Sequence, residues 1–134
     1  MRVLLTTLNA KYIHTNLAIR ILYELNHGFD GLEWKEFTIK EDKNQIADFC
    51  SKFEVIAFSC YIWNWEYNIV LAKAVRKAFP KALIIFGGTQ VPNASEGFFK
   101  KHSHVDILVH HEGELSFSDI LLESLSARPD YTKI

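Results

Sequence analysis

Short runs of consecutive apolar residues alternate along the chain with stretches whose apolar positions recur at helical spacing. Val3 to Thr7 reads as a first strand. A polar loop from Asn9 to Thr15 leads to Asn16, a helix N-cap, and the helix behind it places Ala18, Ile21, Leu22 and Leu25 inward and stops at Gly28. Leu32 to Ile39 mixes polar and apolar residues as an edge strand does. Asn44 to Lys52 forms a short helix with Ile46, Ala47 and Phe49 inward, and Glu54 to Cys60 a fully buried third strand. Asn64 caps a long helix with Tyr67, Leu71, Val75 and Ala78 on its inner stripe, ended by Pro80. Leu83 to Phe86 is a fourth strand, Ala94 to Lys101 a short helix and Val105 to Val109 a fifth strand. From Glu114 a last helix buries Phe117, Ile120, Leu121 and Leu125, and Arg128-Pro129 ends it.

Strict alternation with helical crossovers implies parallel pairing and right-handed connections. The pattern predicts an α/β fold of three layers around a doubly wound five-stranded parallel sheet, Rossmann-like or flavodoxin-like. Strand order 2-1-3-4-5 follows because the polar second strand belongs at an edge and the apolar third in the middle. Residues 1–126 make one domain, and 127–134 read as the start of a linker.

Composition narrows the function classes. The 134 residues are 49% hydrophobic, enough for a real core. A net charge of −1 gives no strong attraction to nucleic acid or an anionic membrane. No apolar run approaches the roughly 20 residues of a membrane helix. The two cysteines, Cys50 and Cys60, form neither a disulfide framework nor a metal pattern, so a cytoplasmic location is expected.

Three strands end in small or polar residues: Thr7-Leu8-Asn9, Ser59-Cys60-Tyr61 and Gly87-Gly88-Thr89-Gln90. In a parallel sheet such ends build a ligand crevice at one edge, and a glycine pair lets backbone approach a bulky ligand. Loop chemistry separates the candidates. A nicotinamide site wants G-x-G-x-x-G after the first strand, where Leu8-Asn9-Ala10-Lys11-Tyr12 has no glycine. A flavin phosphate loop wants hydroxyls and glycines there, and Thr6, Thr7 and Thr15 lie too far apart. A phosphate-receiving regulator needs acidic Mg²⁺ ligands, and no carboxylate precedes Glu24.

Taken in order, Leu8-Asn9-Ala10-Lys11-Tyr12-Ile13-His14-Thr15-Asn16, Ser59-Cys60-Tyr61-Ile62-Trp63-Asn64, Gly87-Gly88-Thr89-Gln90-Val91, Val105-Asp106 and Glu112-Gly113-Glu114-Leu115-Ser116-Phe117 carry a resemblance. The chain resembles the N-terminal cobalamin-binding domain of B12-dependent radical SAM proteins. The resemblance implies corrinoid contacts at Leu8, Asn9, Ala10, Tyr12, His14, Ser59, Cys60, Tyr61, Trp63, Gly87, Gly88, Thr89, Gln90, Glu112, Gly113 and Glu114. Where mutase-type relatives carry Asp-x-His-x-x-Gly, this chain has Asn9, Lys11 and His14. A protonated lysine is a poor cobalt ligand, so base-off binding without a protein histidine is implied. The parent would also use S-adenosylmethionine and a 4Fe–4S cluster in a following radical SAM domain. With no C-x-x-x-C-x-x-C here, this chain alone is expected to be non-catalytic, within a methyltransferase or a cyclase like the anaerobic magnesium-protoporphyrin IX monomethyl ester cyclase. The alternative is a non-enzymatic binding or regulatory domain for another small ligand or a protein.

The residues themselves leave several roles open. His14 can approach cobalt from below or sit in solvent. Ser59 can bond the nucleotide tail or a buried backbone group. Tyr61, Trp63 and Trp65 can face the corrin or pack the third crossover. Glu112 and Glu114 can contact cofactor or complement the last helix's dipole. Cys60 reads as a buried hydrophobe, and His110-His111 lacks the spacing of a metal site. Gly87-Gly88 can contact the ligand or merely turn the chain; Gly88→Val is expected to block the corrinoid while sparing the fold, unless Gly88 needs a positive φ, in which case a β-branched residue strains the turn.

Overall fold

The structure, a computed structural model, describes residues 1–10, 16–92, 95, 97–110 and 113–134. Strands β1 (Val3–Asn9), β2 (Leu32–Thr38), β3 (Val55–Ser59), β4 (Leu83–Gly87) and β5 (Ile107–Leu108) form one parallel sheet in the order β2-β1-β3-β4-β5. This is the order predicted from the polar second strand and the apolar third. Among the described residues the helices are α1 (Leu17–Leu25), α2 (Lys43–Cys50), α3 (Trp65–Ala78), α4 (Phe98–Lys101) and α5 (Glu114–Ser124). No helix among them is long and apolar enough to cross a membrane.

Strand alternation divides the core between two faces. Val3, Leu5, Val55, Ala57 and Ile85 meet Ile19 of α1 and Phe117, Ile120 and Leu121 of α5. Leu4, Leu8, Ile56, Phe58, Ile84 and Phe86 meet α2, α3 and Phe98 of α4. The two faces differ in side-chain size at β3. One presents Val55, Ala57 and Ser59, the other Ile56 and Phe58. The register aligns Leu5, Ala57 and Ile85 in one row across β1, β3 and β4, and Ser59 beside Gly87 one step further along. Small side chains in the two central strands therefore leave a gap under α1 and α5.

That gap corrects the predicted inner stripe of α1. Ile19 is buried and Leu22 and Tyr23 half-buried, while Ala18, Ile21 and Leu25 are exposed. Tyr23 sits edge-on to Trp34 of β2, with ring centroids 6.4 Å apart, which turns the helix toward the sheet edge. In α3 the buried stripe is Asn68, Ile69, Leu71, Ala72 and Val75, with Tyr67 half-buried and Ala78 exposed. Leu125, expected inward, lies beyond α5 and is 62% exposed.

Boundaries moved where hydrogen bonds outrun the apolar pattern. β1 extends to Asn9 because β2 pairs with it over its full length. β5 shrinks to two residues, since only Ile107 and Leu108 pair with β4, and Val105 turns into the other core. α4 is a single turn beginning at Phe98, and Ala94 and Glu96 of its expected start lie outside the described residues. Residues 131–133 form a short 3₁₀ turn, and Tyr131 packs back on the α5 side of the core.

Candidate functional site

A slot of about 870 Å³ opens at the C-terminal edge of the sheet and runs down between α1 and α5. Its floor is the row Leu5, Ala57 and Ile85, and its walls are Ala18, Ile19 and Leu22 of α1 and Val109 and Phe117 on the opposite side. Among the described residues, polar side chains enter the lining only at the mouth: Ser59, Tyr61, Thr89 and Glu114. Slots of this size, apolar inside with a few polar groups at one end, are typical of cofactor sites, and this one lies where an open parallel sheet puts its ligand.

The central strand ends are held by a buried amide pair. The Asn64 side chain, wholly buried, donates to the Leu8 carbonyl (3.0 Å), the Ser59 carbonyl (3.2 Å) and the Thr7 hydroxyl (3.3 Å), and accepts from the Tyr61 amide (2.7 Å). Asn68 donates to the Asn64 side-chain oxygen (3.2 Å) and to the Cys60 sulfur (3.3 Å). Asn64 occupies the predicted N-cap position of α3, but its side chain makes no cap bond and joins β1 to β3 instead. Asn64→Ala strips donors from buried carbonyls, and unmade buried hydrogen bonds cost about 1–3 kcal/mol. A loss of about 2 kcal/mol is expected in a denaturant melt.

A second set of bonds fixes the rim. Glu36 at the end of β2 accepts from the Asn9 amide (3.0 Å), the Asn16 backbone amide and Arg20 (3.3 Å), pinning both flanks of the β1–α1 connection. Asn16 is the predicted N-cap of α1, accepting from Ile19 (2.9 Å), and its side chain also donates to the Tyr61 hydroxyl (3.0 Å). Tyr61 stacks on Trp63 with centroids 4.6 Å apart and planes 1° from parallel. Trp63 donates to the Leu8 carbonyl (3.2 Å) and stays 44% exposed. The pair borders a smaller cleft of about 410 Å³, shared with Asn9, Ala10 and Asn16, beside the slot mouth.

The structure sorts the expected contact residues. Ser59, Tyr61, Gly87, Gly88, Thr89, Gly113 and Glu114 line the slot, and Asn9, Ala10 and Trp63 the cleft beside it. Leu8 and Cys60 send their side chains into the opposite core, so at this edge Leu8 offers only its backbone. Burial pushes the Cys60 thiol up to about 12, with the Asn68 bond opposing, which removes thiolate chemistry. Trp65 packs on Phe86 and Phe98 in that same core, away from the slot. Gln90 is exposed and is absent from both linings. Tyr12, His14 and Glu112, with Lys11 and His111, lie outside the described residues. Among the described residues no group of three or more His, Cys, Asp or Glu side chains could hold a metal ion.

Contacts bear on two further expectations. The Ser59 hydroxyl has no hydrogen-bonding partner among the described residues; only its carbonyl is engaged, by Thr7, Asn64 and Asn68. The structure therefore gives that hydroxyl no buried backbone group to serve. Gly88 has φ +103°, and a Cβ there would stand 2.5 Å from the Cys60 carbonyl oxygen and 2.8 Å from the Cys60 nitrogen. Gly88 is thus required by the fold, and Gly88→Val cannot leave the fold intact. A Cβ on Gly87 would meet only Val109, at 3.7 Å. Sequence reasoning missed the slot floor and the Asn64–Asn68 pair. The alternation Val55, Ala57, Ser59 was the signal for the first; buried asparagines in an apolar helix stripe were the signal for the second.

Comparison with known proteins adds relatives. Over 90 residues, 67% of this chain, it is 41% identical to the cobalamin-dependent radical SAM methyltransferase TokK of Streptomyces tokunonensis. Over 81 residues, 60% of the chain, it is 42% identical to 2-(S-pantetheinyl)-carbapenam-3-carboxylate methyltransferase of Streptantibioticus cattleyicolor. The matched segments span only 13% and 12% of those proteins. No family model matches the chain. A pilus assembly-related protein of Burkholderia pseudomallei superposes on 97% of this chain and 95% of its own, with TM-score 0.55 and 10% identity. An NADPH-quinone reductase of P. pentosaceus does so over 96% and 99%, with TM-score 0.51 and 11% identity. These two share the fold.

Proposed function

We propose that this chain is the cobalamin-binding domain of a B12-dependent radical SAM enzyme. The observation that carries the reading is the slot: an apolar channel with polar groups, among the described residues, at its mouth, in a chain similar to a cobalamin-dependent radical SAM methyltransferase and to a carbapenam methyltransferase. The residues present fit a corrinoid. Ala18, Ala57, Ser59, Gly87 and Gly113 keep the lining thin, so a flat group can pass between helices and sheet. Ser59 offers an uncommitted hydroxyl where a phosphate or ribose of the nucleotide tail would cross the mouth. Asn9, Ala10, Tyr61, Trp63, Thr89 and Glu114 surround the opening over which the corrin would lie, and Tyr12, His14, Gln90, Glu112 and Gly113 remain proposed contacts around it.

Cobalamin supplies a cobalt centre able to carry a methyl group. This chain's part is to bind and orient it: Asn64 and Glu36 hold the mouth in shape, and the floor excludes water from the inserted group. Methyl transfer is favoured over ring cyclisation as the parent's reaction, because both curated relatives are methyltransferases. S-adenosylmethionine and the 4Fe–4S cluster belong to a further radical SAM domain, joined through residues 127–134. Base-off binding without a protein histidine rests on Lys11 where a ligating histidine would stand. Electron paramagnetic resonance of the cob(II)alamin complex is expected to show no nitrogen superhyperfine splitting that disappears in His14→Ala; such a splitting would make His14 the ligand.

The purified chain mixed with hydroxocobalamin and desalted is expected to keep corrin absorbance. Absence of colour would favour a non-enzymatic domain for another ligand or partner and overturn the proposal. Ser59→Ala is expected to weaken cobalamin binding a few-fold to about tenfold, the worth of one neutral hydrogen bond. Its denaturation midpoint should not move, because the hydroxyl bonds no described residue. Unchanged affinity by titration would remove Ser59 from the site.

A further inference from the structure

We infer that the His102–His104 pair is a proton-operated latch on the edge strand β5: neutral, it holds the segment 98–106 against α3 and β4, and protonated, it lets that edge loosen. The pair lies on the face of the sheet opposite the slot, and the inference stands whether or not a corrinoid binds. His104 is 7% exposed, and its ring lies 5.7 Å from that of His102, with the planes at 88°. His102, half-buried, packs in turn on Phe98 of α4, with centroids 5.0 Å apart. The buried Nε2 of His104 and Nδ1 of His102 have no hydrogen-bonding partner among the described residues. That leaves Nδ1 of His104 to bond the Ile69 backbone of α3. The loop that these rings brace leads directly into β5. Val105 is buried in the α3 side of the core, the Asp106 amide donates to the Ile84 carbonyl (2.9 Å) and the Val109 amide to the Phe86 carbonyl (2.8 Å). β5 itself pairs with β4 through two residues, Ile107 and Leu108, and Val109 just beyond it is a wall of the slot.

The charges around the pair resist a further proton. Lys101 of α4 and Lys73 of α3 face His102, opposed by Glu66 at the start of α3. His102, Lys73 and Arg76 face His104. Asp106, the carboxylate on the β5 side, is engaged by Arg76 and by the Ile84 amide (2.8 Å), and Arg76 also donates to the His104 carbonyl (3.1 Å). A proton on Nε2 of His104 would make a buried charge with no acceptor, beside a second imidazole and a guanidinium. Burial first, and then these cations, hold both rings below the ordinary histidine value of 6.5. Once the segment opens, the rings meet water and return to about 6.5. The open form therefore binds protons that the closed form refuses. Closure is complete above pH 6.5 and weakens as the pH falls below it.

The test is native-state amide hydrogen exchange at about pH 7.5 and about pH 5.5, on either side of the free histidine value, expressed as protection relative to the intrinsic rate at each pH. Protection of the Asp106 and Val109 amides is expected to fall about tenfold or more at the lower pH, toward a limit of about 100-fold for two protons taken up on opening. These amides should then be less protected than those of β3, which marks loosening of the edge rather than of the whole domain. In the double variant His102→Phe with His104→Asn, a ring stays on Phe98 and an amide donor stays near Ile69, but neither residue titrates, and the loss of protection should disappear. Protection that does not change with pH in the wild type overturns the latch. So does equal protection of the edge and of β3 at the lower pH, or a loss in the double variant as large as in the wild type. Should the double variant fail to fold, proton NMR titration of the wild-type imidazoles decides: both rings are expected to titrate below 6.5, and either one titrating at or above it overturns the inference.

Discussion

Ala57→Trp is expected to reduce cobalamin affinity about 100-fold or more while the domain stays folded. Ala57 is the middle residue of the slot floor, flanked in register by Leu5 and Ile85. An indole there is a flat bicyclic ring, and it would fill from within the slot proposed to take a flat part of the cofactor. Burying a large apolar side chain is worth about 1.5–3 kcal/mol, and a ligand group excluded from the slot forfeits a comparable amount, close to the roughly 2.7 kcal/mol of a 100-fold change. Overpacking a filled core costs about 1–3 kcal/mol, but this ring would enter existing space of about 870 Å³. A melt midpoint near the wild type would locate the loss in the slot. Full cobalamin affinity in the folded variant would show that the slot holds no part of the ligand.

The contrast between Ala57 and Phe58 shows why the architecture was legible in the sequence and the slot was not. Strand order needed only the polarity of β2 against the apolar run of β3, and both survive in the fold. Cap residues were also legible: Asn16 caps α1 because an amide before a helical stretch has a local partner to find. The slot depends on which face of β3 carries the small residues and on how far two helices separate above it. Period-two alternation exposes the first if each face is read separately, but helix separation is a property of tertiary packing. For the same reason the stripe of α1 came out rotated: Ala18 looked buried by composition, yet it borders the slot. Asn64 looked like a cap because nothing local distinguishes a side chain that bonds its own helix from one that reaches Leu8 and Ser59 on two strands.

Gly88→Val is expected to destabilise the domain by about 3 kcal/mol or more, whatever its effect on ligand. The glycine pair looked like a ligand cradle, and Gly87 does line the slot with room beside it. Gly88 has a different reason to be glycine. Its backbone sits at φ +103°, a region L side chains rarely adopt and β-branched ones least of all. Holding a residue in such a region costs about 1–3 kcal/mol. The added carbon would also meet the Cys60 backbone at 2.5 Å, and backbone cannot swing aside as a side-chain tip can. Relief would require opening the turn in which the Cys60 amide donates to the Gly87 carbonyl (2.7 Å) and the Gln90 amide to the Cys60 carbonyl (3.2 Å). Those bonds fix the ends of β3 and β4, so the strain spreads to the slot mouth. A thermal melt should fall by about 10 °C, at several degrees per kcal/mol for a domain of this size. Gly87→Ala is the matched comparison: its Cβ would meet only Val109, at an ordinary contact distance, so its melt should stay close to the wild type. A Gly88→Val protein that melts like the wild type would show that the turn can re-form around a side chain, and that Gly88 is not held by the fold.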